Sequence, residues 1–182
     1  MTIPTTDWNP EAYARFRGLR LRPALDLLAQ VGEVPEGPVI DLGCGAGAMG
    51  AALAARWPGR VQGIDASPAM LAKAAETGAY ARLDRADIAD WQPDHQPALI
   101  YSNAALQWVP DHARVLPRLL GLLAPGGWLA VQMPRNHLQP SHRFLRDIAA
   151  AMFPDRFEAG PYDPPVQPAT AYVEALLPLA EV

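Results

Sequence analysis

The sequence predicts an α/β fold in which helices cover both faces of a parallel sheet. Short apolar runs rich in valine, isoleucine and leucine alternate with longer segments of helical spacing, and glycine or proline stands between them. Such alternation is typical of successive strand–helix–strand units with right-handed crossovers. Five strands are countable, over residues 39–42, 61–64, 80–83, 98–102 and 128–133.

The helices are predicted from their end signals as well as from their spacing. Asn9 and Pro10 suit the N-cap and first position of a helix over 7–17. Ser67 suits the N-cap of a helix over 68–76. Further helices are expected over 23–31, 46–57, 112–123, 141–152 and 170–177, and another strand is expected to start within 179–182.

Composition indicates one globular domain and argues against several functional classes. The chain has 182 residues, of which 50% are apolar and 19% charged, so it is too apolar for a disordered protein. A net charge of −4 argues against nucleic-acid binding. The one cysteine fits a reducing compartment, and neither a membrane span nor a signal peptide is evident. We therefore expect a cytoplasmic protein, as a monomer or weak homodimer.

A glycine-rich turn carries the clearest functional signal. The first predicted strand leads into Gly43, Gly45 and Gly47, and the second ends close to Asp65. Glycine lets backbone N–H groups come close to a ligand, and a carboxylate at the next strand end can accept hydrogen bonds from ribose hydroxyls. The arrangement therefore predicts a site for a cofactor that contains adenosine.

Two cofactor classes share this arrangement. Nicotinamide and flavin dehydrogenases use a Gly-x-Gly-x-x-Gly turn, and Ala48 at its third glycine position fits the looser form. Asp41 discriminates better, because a carboxylate directly before the turn would repel a pyrophosphate. It suits S-adenosylmethionine, which has an amino group and a sulfonium but no phosphate. We favour S-adenosylmethionine and keep a dehydrogenase as the weaker alternative.

Four blocks of sequence resemble the class I S-adenosylmethionine-dependent methyltransferases: Asp41 to Gly47, Asp65 to Met70, Asp87-Ile88 and Leu123 to Leu129. The resemblance implies a Rossmann-like doubly wound sheet. The antiparallel strand pair that ends the family's sheet is absent here, so strand five is expected to be an open edge, and we expect the natural protein to be longer. The cofactor residues it implies are Asp41, Gly43, Cys44, Gly45, Asp65, Ala66, Ser67, Met70, Asp87, Ile88, Asn103, Tyr13 and Arg20.

A narrower resemblance, from residue 7 to residue 176, is to the trans-aconitate 2-methyltransferases, which esterify a carboxylate of a small tricarboxylic acid. It rests on Asp7 to Pro10, Arg20 to Pro23, Asn103 to His112 and Val131 to Asn136. It implies one domain with an N-terminal helical lid (1–34), a cofactor-binding core (35–133) and substrate-side helices (134–182). We expect the substrate residues to be Trp8, Trp108, Arg135, His142 and Arg146.

A carboxylate acceptor requires cations rather than a catalytic base. Its pKa is near ~4, so it is ionised at neutral pH, and catalysis reduces to alignment and exclusion of water. We accordingly expect no catalytic dyad and no metal. Two segments rich in arginine and histidine, over 15–22 and 135–146, flank the carboxyl edge of the predicted sheet. Arginine binds carboxylates in bidentate fashion, so we expect a small anionic substrate.

Alternatives remain at both levels. Asp65 could cap a strand end, Asp87 could cap a turn, Cys44 could be a small buried residue, and Trp108 could pack in the core. At the level of function, the alternatives are a methyltransferase for another small acceptor and a non-catalytic protein that binds S-adenosylmethionine.

Overall fold

The computed structural model describes residues 17–157 and 164–181. Its five strands are β1 (Val39–Leu42), β2 (Val61–Asp65), β3 (Arg82–Arg85), β4 (Leu99–Asn103) and β5 (Trp128–Gln132). Its helices are α1 (Arg17–Gln30), α2 (Gly50–Arg56), α3 (Pro68–Glu76), α4 (His112–Gly121), α5 (Pro140–Met152) and α6 (Ala169–Leu176), with a 3₁₀ turn at Leu106–Trp108. The predicted α/β fold class is confirmed.

The sheet is parallel throughout, in the order β3-β2-β1-β4-β5. The chain moves outward from β1 to β3 and then crosses back to β4, so Val39 pairs with both Val61 and Leu99. The loops that follow β1 and β4 therefore leave in opposite directions and open a crevice at the carboxyl edge, which is where doubly wound sheets bind ligands.

Both faces of the sheet are covered by packed side chains. Alternate residues of a strand point to opposite faces, so the fully buried β1 contributes to both layers. On one face Val39 and Tyr101 pack with Leu53 of α2, and on the other Ile40 packs with Leu119 of α4. The sheet whose carboxyl edge carries the crevice is thus packed on both of its faces.

The third predicted helix begins later than expected. The sequence predicts it over 46–57, but α2 starts at Gly50 and the preceding residues form turns. Gly45 and Gly47 have φ angles of 54° and 79°, which an α-helix does not allow. The turn is therefore longer than predicted, and it presents more backbone to the crevice.

The third strand is shifted along the chain. The sequence predicts it over 80–83, but β3 covers Arg82–Arg85. Ala81 donates to the carbonyl of Val61 at 2.8 Å, so pairing with β2 starts beyond Tyr80. The Tyr80 side chain turns inward instead, toward the glycine-rich turn.

The first described helix continues through a proline. The sequence predicts a helix over 23–31, whereas α1 runs from Arg17 to Gln30 with Pro23 inside it. Proline removes one helical hydrogen bond, but Leu21, Ala24 and Leu28 pack on the core and hold the helix there. The helix predicted over 7–17 lies outside the described residues except for Arg17.

The C-terminal part departs from the prediction in one respect. The strand expected within 179–182 is wrong for the described residues, because the N–H groups of Leu179 and Ala180 donate to the carbonyl of Leu176 at 2.8 and 3.1 Å and form a turn. As expected, β5 is an edge of the described sheet.

None of the helices that the structure describes is long and apolar enough to cross a membrane.

Candidate functional site

Three loops meet at the carboxyl edge of the sheet. A Cβ placed on Gly43, after β1, would lie 2.3 Å from the Cβ of Ala105 and 3.4 Å from the Cδ1 of Ile88. Ala105 follows β4 and Ile88 follows β3, so the loops of three strands are in contact at this point. Gly43 is required here for a close approach, and the contact forms the floor of the crevice.

Asp65, at the end of β2, joins the loop after β1 to the loop after β2. Its Oδ2 accepts the N–H of Gly45 at 2.9 Å, and its Oδ1 accepts the N–H of Ser67 at 2.8 Å. Asp65 therefore does cap backbone N–H groups at the strand end, as its alternative interpretation predicts. Each carboxylate oxygen has a second lone pair, so the cap leaves Asp65 able to accept further hydrogen bonds.

One position of the turn faces open space. A Cβ on Gly45 would meet no heavy atom within 4 Å. The N–H groups of Gly43 and Cys44 already donate to the carbonyl of Ile64, at 2.8 and 2.9 Å, and that of Gly47 donates to Cys44 at 3.0 Å. Together with the N–H of Gly45, which donates to Asp65, these backbone donors are already used within the protein.

Asp41 lies beneath the turn rather than on its surface. It is 3% exposed, and its Oδ2 accepts the hydroxyl of Tyr80 at 2.7 Å. Burial raises the pKa of Asp41 to about 6, the Tyr80 hydrogen bond opposes the rise, and the charge of Asp65 adds to it. The carboxylate is therefore mainly ionised at neutral pH, and its negative charge lies buried beneath the glycine-rich turn.

Cys44 is an unreactive member of the turn. It is buried, and burial together with the charges of Asp41 and Asp65 raises the pKa of its thiol to about 12. The thiolate is the reactive form of cysteine, so this residue takes part through packing and backbone only.

The loop after β3 is held by a cap and by an arginine. Asp87 accepts the N–H of Ala89 at 2.9 Å, so its predicted capping alternative also occurs. From α4, Arg118 donates to the carbonyl of Trp91 at 2.7 Å and to that of Ile88. Both contacts fix the backbone beside the buried Ile88 side chain.

Replacing Arg118 with methionine is expected to lower the free energy of unfolding by about 2–4 kcal/mol, because two carbonyls lose a charged donor. Urea unfolding followed by circular dichroism measures the change. Arg114→Met on the same helix is the matched control, since Arg114 is exposed and only approaches Asp111 at 3.4 Å. Equal destabilisation by both variants would contradict the assigned role.

The end of β4 forms the other side of the crevice. Ala104 follows Asn103 with a φ of 52°, and its N–H donates to the carbonyl of Gln132 at 2.9 Å. Gln107 in turn donates its side-chain amide to the carbonyl of Ala104 at 2.7 Å. Trp108 is 82% exposed, so its interpretation as a core residue is wrong.

Comparison with known proteins decides the family. The sequence matches the family described as "Methyltransferase domain" over residues 13–163. It is 50% identical over 185 residues to the trans-aconitate 2-methyltransferase of Methylobacterium radiotolerans, over 96% of this chain and 69% of that protein. The chain belongs to the class I S-adenosylmethionine-dependent methyltransferase family.

Other methyltransferases agree with this result. A trans-aconitate 2-methyltransferase of Variovorax paradoxus is 48% identical over 95% of this chain and 64% of its own length. One from Paracidovorax citrulli is 52% identical over 79% and 56%. The chain thus spans between 56% and 69% of the lengths of these curated relatives.

Solved structures share the fold. An S-adenosylmethionine-dependent methyltransferase from Mesorhizobium loti superposes with a TM-score of 0.52 at 34% identity, over 60% of this chain and 51% of that one. A complex of DhpI with SAM and HEP gives 0.54 at 26% identity, over 69% and 60%. The predicted resemblance to methyltransferases is therefore confirmed.

The predicted substrate residues are only partly brought together. Arg135 is exposed after β5, while His142 and Arg146 are half-buried on α5. His142 contacts the Ser141 hydroxyl at 3.0 Å, and its ring lies 6.2 Å from that of His137. The described residues hold no group of three histidine, cysteine, aspartate or glutamate side chains suited to a metal.

Three predicted residues cannot be placed against the crevice. Trp8 and Tyr13 lie outside the described residues, and Arg20 lies in α1, where the structure describes its backbone alone. The other cofactor residues that border the turn and α3 are partly accessible, with Ala66 and Met70 exposed and Ser67 half-buried at the N-cap of α3.

Sequence reasoning misses two residues of the site, Tyr80 and Arg118. Each acts on backbone or side chains far away in sequence, so no local pattern shows what it contacts. The helical spacing of Val115, Leu116 and Leu119 does place Arg118 beside the buried face of α4. That spacing is a usable signal for Arg118, whereas Tyr80 offers none.

Proposed function

We propose that this chain is an S-adenosylmethionine-dependent O-methyltransferase that esterifies a carboxylate of trans-aconitate or a similar small polycarboxylate. The observation that carries the proposal is the 50% identity to a trans-aconitate 2-methyltransferase. The crevice supports it, since Gly45 faces open space beside the Asp65 carboxylate.

The described residues fit a cofactor with a ribose and a cationic amino acid end. Asp65 can accept from the ribose hydroxyls, the buried charge of Asp41 suits the cationic end, and the apolar Ile88 suits adenine. Asn103 would lie near the methionine part. The remaining proposed contacts are Gly43, Cys44, Gly45, Ala66, Ser67, Met70 and Asp87, with Tyr13 and Arg20 from the N-terminal segment.

The proposed methyl transfer requires no catalytic acid or base from the side chains. When bound, the cofactor supplies a methyl group on a positively charged sulfur. A substrate carboxylate is already ionised at neutral pH, so no residue has to remove a proton. The protein aligns the acceptor, with Arg135, His142 and Arg146 binding its carboxylates, and Trp8 and Trp108 excluding water.

The proposed organisation is one domain with an N-terminal lid over 1–34, a cofactor-binding core over 35–133 and substrate-side helices over 134–182. In this organisation the two basic segments, over 15–22 and 135–146, would belong to the outer parts and flank the crevice. We propose that the protein works in the cytoplasm as a monomer or weak homodimer.

Calorimetric titration with S-adenosylhomocysteine tests the cofactor, with NADH as the comparison ligand. Transfer of a labelled methyl group to trans-aconitate, to other di- and tricarboxylates and to phenols then tests the acceptor. We expect heat with S-adenosylhomocysteine and labelled ester from the polycarboxylates. Binding of NADH alone would refute the cofactor, and labelled phenols alone would refute the acceptor class.

Replacing Arg135 with glutamine is expected to raise the KM for trans-aconitate about tenfold, since a charged hydrogen bond to a carboxylate is lost. The affinity for S-adenosylhomocysteine should not change. Arg143→Gln is the matched control, because Arg143 is also exposed and basic but approaches Asp147 at 3.9 Å. An unchanged KM in Arg135→Gln would exclude Arg135 from the acceptor site.

A further inference from the structure

The ring of Tyr80 lies in a slot formed by three glycines. A Cβ on Gly50 would lie 2.7 Å from the Cε2 atom of Tyr80, one on Gly63 would lie 3.0 Å from its Cδ1, and one on Gly47 would lie 3.1 Å from its Cε2. Gly47 lies in the turn, Gly50 is the first residue of α2, and Gly63 lies within β2. Gly50 is therefore required by the aromatic ring, whether or not a ligand is bound, while Gly47 and Gly63 are restricted by the ring together with other neighbours.

The hydroxyl of the same ring reaches a buried carboxylate. It donates to Asp41 Oδ2 at 2.7 Å, and Asp41 is 3% exposed. Among the side chains and backbone of residues 21–157 and 164–181, this is the one hydrogen bond to the Asp41 side chain. A buried carboxylate without a donor is costly, so Tyr80 makes the charged form of Asp41 tolerable inside the fold.

We propose that Tyr80 is a positioning residue of the cofactor site: its ring sets the path of the glycine turn, and its hydroxyl fixes the Asp41 carboxylate beneath that turn. The inference rests on the proposed function for its effect on binding. In this role Tyr80 needs no contact of its own with cofactor or substrate. It acts through Asp41, whose negative charge faces the cationic end of the cofactor.

The groups around Asp41 show why Tyr80 matters. Asp65 at the end of β2 disfavours the charged form, while Cys44 in the turn and Tyr101 on β4 have pKa values raised by burial and stay neutral. Only the Tyr80 hydrogen bond lowers the pKa of Asp41 among these neighbours. Removing the hydroxyl should raise that pKa further above about 6.

The test compares Tyr80→Phe, which keeps the ring in its slot, with Tyr101→Phe. The Tyr101 hydroxyl is also buried, but it donates to the carbonyl of Ala24 at 2.7 Å. S-adenosylhomocysteine affinity is titrated from about pH 5 to pH 8. In the wild type the affinity for S-adenosylhomocysteine should fall as the pH drops through about 6, because Asp41 then becomes protonated. In Tyr80→Phe the fall should begin at a higher pH, with affinity about tenfold weaker at neutral pH. Tyr101→Phe should keep the wild-type midpoint.

A second measurement needs no cofactor. Because the folded pKa of Asp41 is raised, its proton binds more tightly to the folded state, so the free energy of unfolding falls as the pH rises toward about 6. That fall should extend to higher pH in Tyr80→Phe, and Asp41→Asn should remove the step. Unchanged midpoints in both measurements would overturn the proposal. A wild type that binds no S-adenosylhomocysteine would refute the proposed function, while the unfolding profiles would still test Tyr80.

Discussion

Replacing Asp65 with alanine is expected to weaken S-adenosylhomocysteine binding about a hundredfold, the largest loss from any single side chain at the crevice. The variant removes the proposed acceptor of the ribose hydroxyls. It also leaves the N–H groups of Gly45 and Ser67, now 2.9 and 2.8 Å from the carboxylate, without a partner. Calorimetric titration measures the affinity directly.

Asp84→Ala is the matched control for this loss. Asp84 lies opposite Ile64 on the neighbouring strand, at nearly the same height in the sheet, and its carboxylate pairs with Arg82 at 2.7 Å. We expect its affinity to stay within about twofold of the wild type. If Asp65→Ala bound S-adenosylhomocysteine as tightly as the wild type does, Asp65 would only cap the backbone N–H groups of Gly45 and Ser67 and would not bind the cofactor.

Replacing Gly43 with alanine is expected to lower the free energy of unfolding by about 2–4 kcal/mol. The new Cβ would lie 2.3 Å from the Cβ of Ala105, and the residue would keep a φ of 77°, which side chains rarely adopt. Urea unfolding measures the loss. Adding Ala105→Gly should recover part of it, because the closest clash then disappears.

Gly45→Ala gives a matched comparison at the same turn. Its φ of 54° carries a similar strain, but its Cβ would point into open space. We expect a loss of about 1 kcal/mol in stability, together with weaker S-adenosylhomocysteine binding because the methyl group enters the ligand side of the turn. Equal destabilisation by the two alanines would show that the contact with Ala105 is not the cause.

The parts of the site that are predictable follow from local patterns. The end of a buried strand is visible as the end of an apolar run, so the sequence alone places Asp41 and Asp65 at the carboxyl edge. The order of strands and helices also determines which loops share that edge. The fold and the crevice are therefore accessible from local sequence patterns.

The parts that are missed depend on contacts between distant segments. β3 reads Arg-Leu-Asp-Arg and is half-exposed at the edge, so it lacks the apolar run that marks a buried strand. The pattern assigns the apolar Tyr80 to that strand instead, although its ring occupies the glycine slot. Likewise, the spacing of α4 places Arg118 beside the buried face but does not show that it holds two carbonyls of the loop after β3.

The glycine slot also constrains how this sequence can evolve. A side chain at Gly50 becomes acceptable only after residue 80 has lost its ring, since the two would otherwise overlap. A smaller residue 80 in turn leaves Asp41 without its donor. Single steps in either order are therefore unfavourable. In diverging descendants we expect Tyr80, Gly50 and Asp41 to be replaced together or kept together.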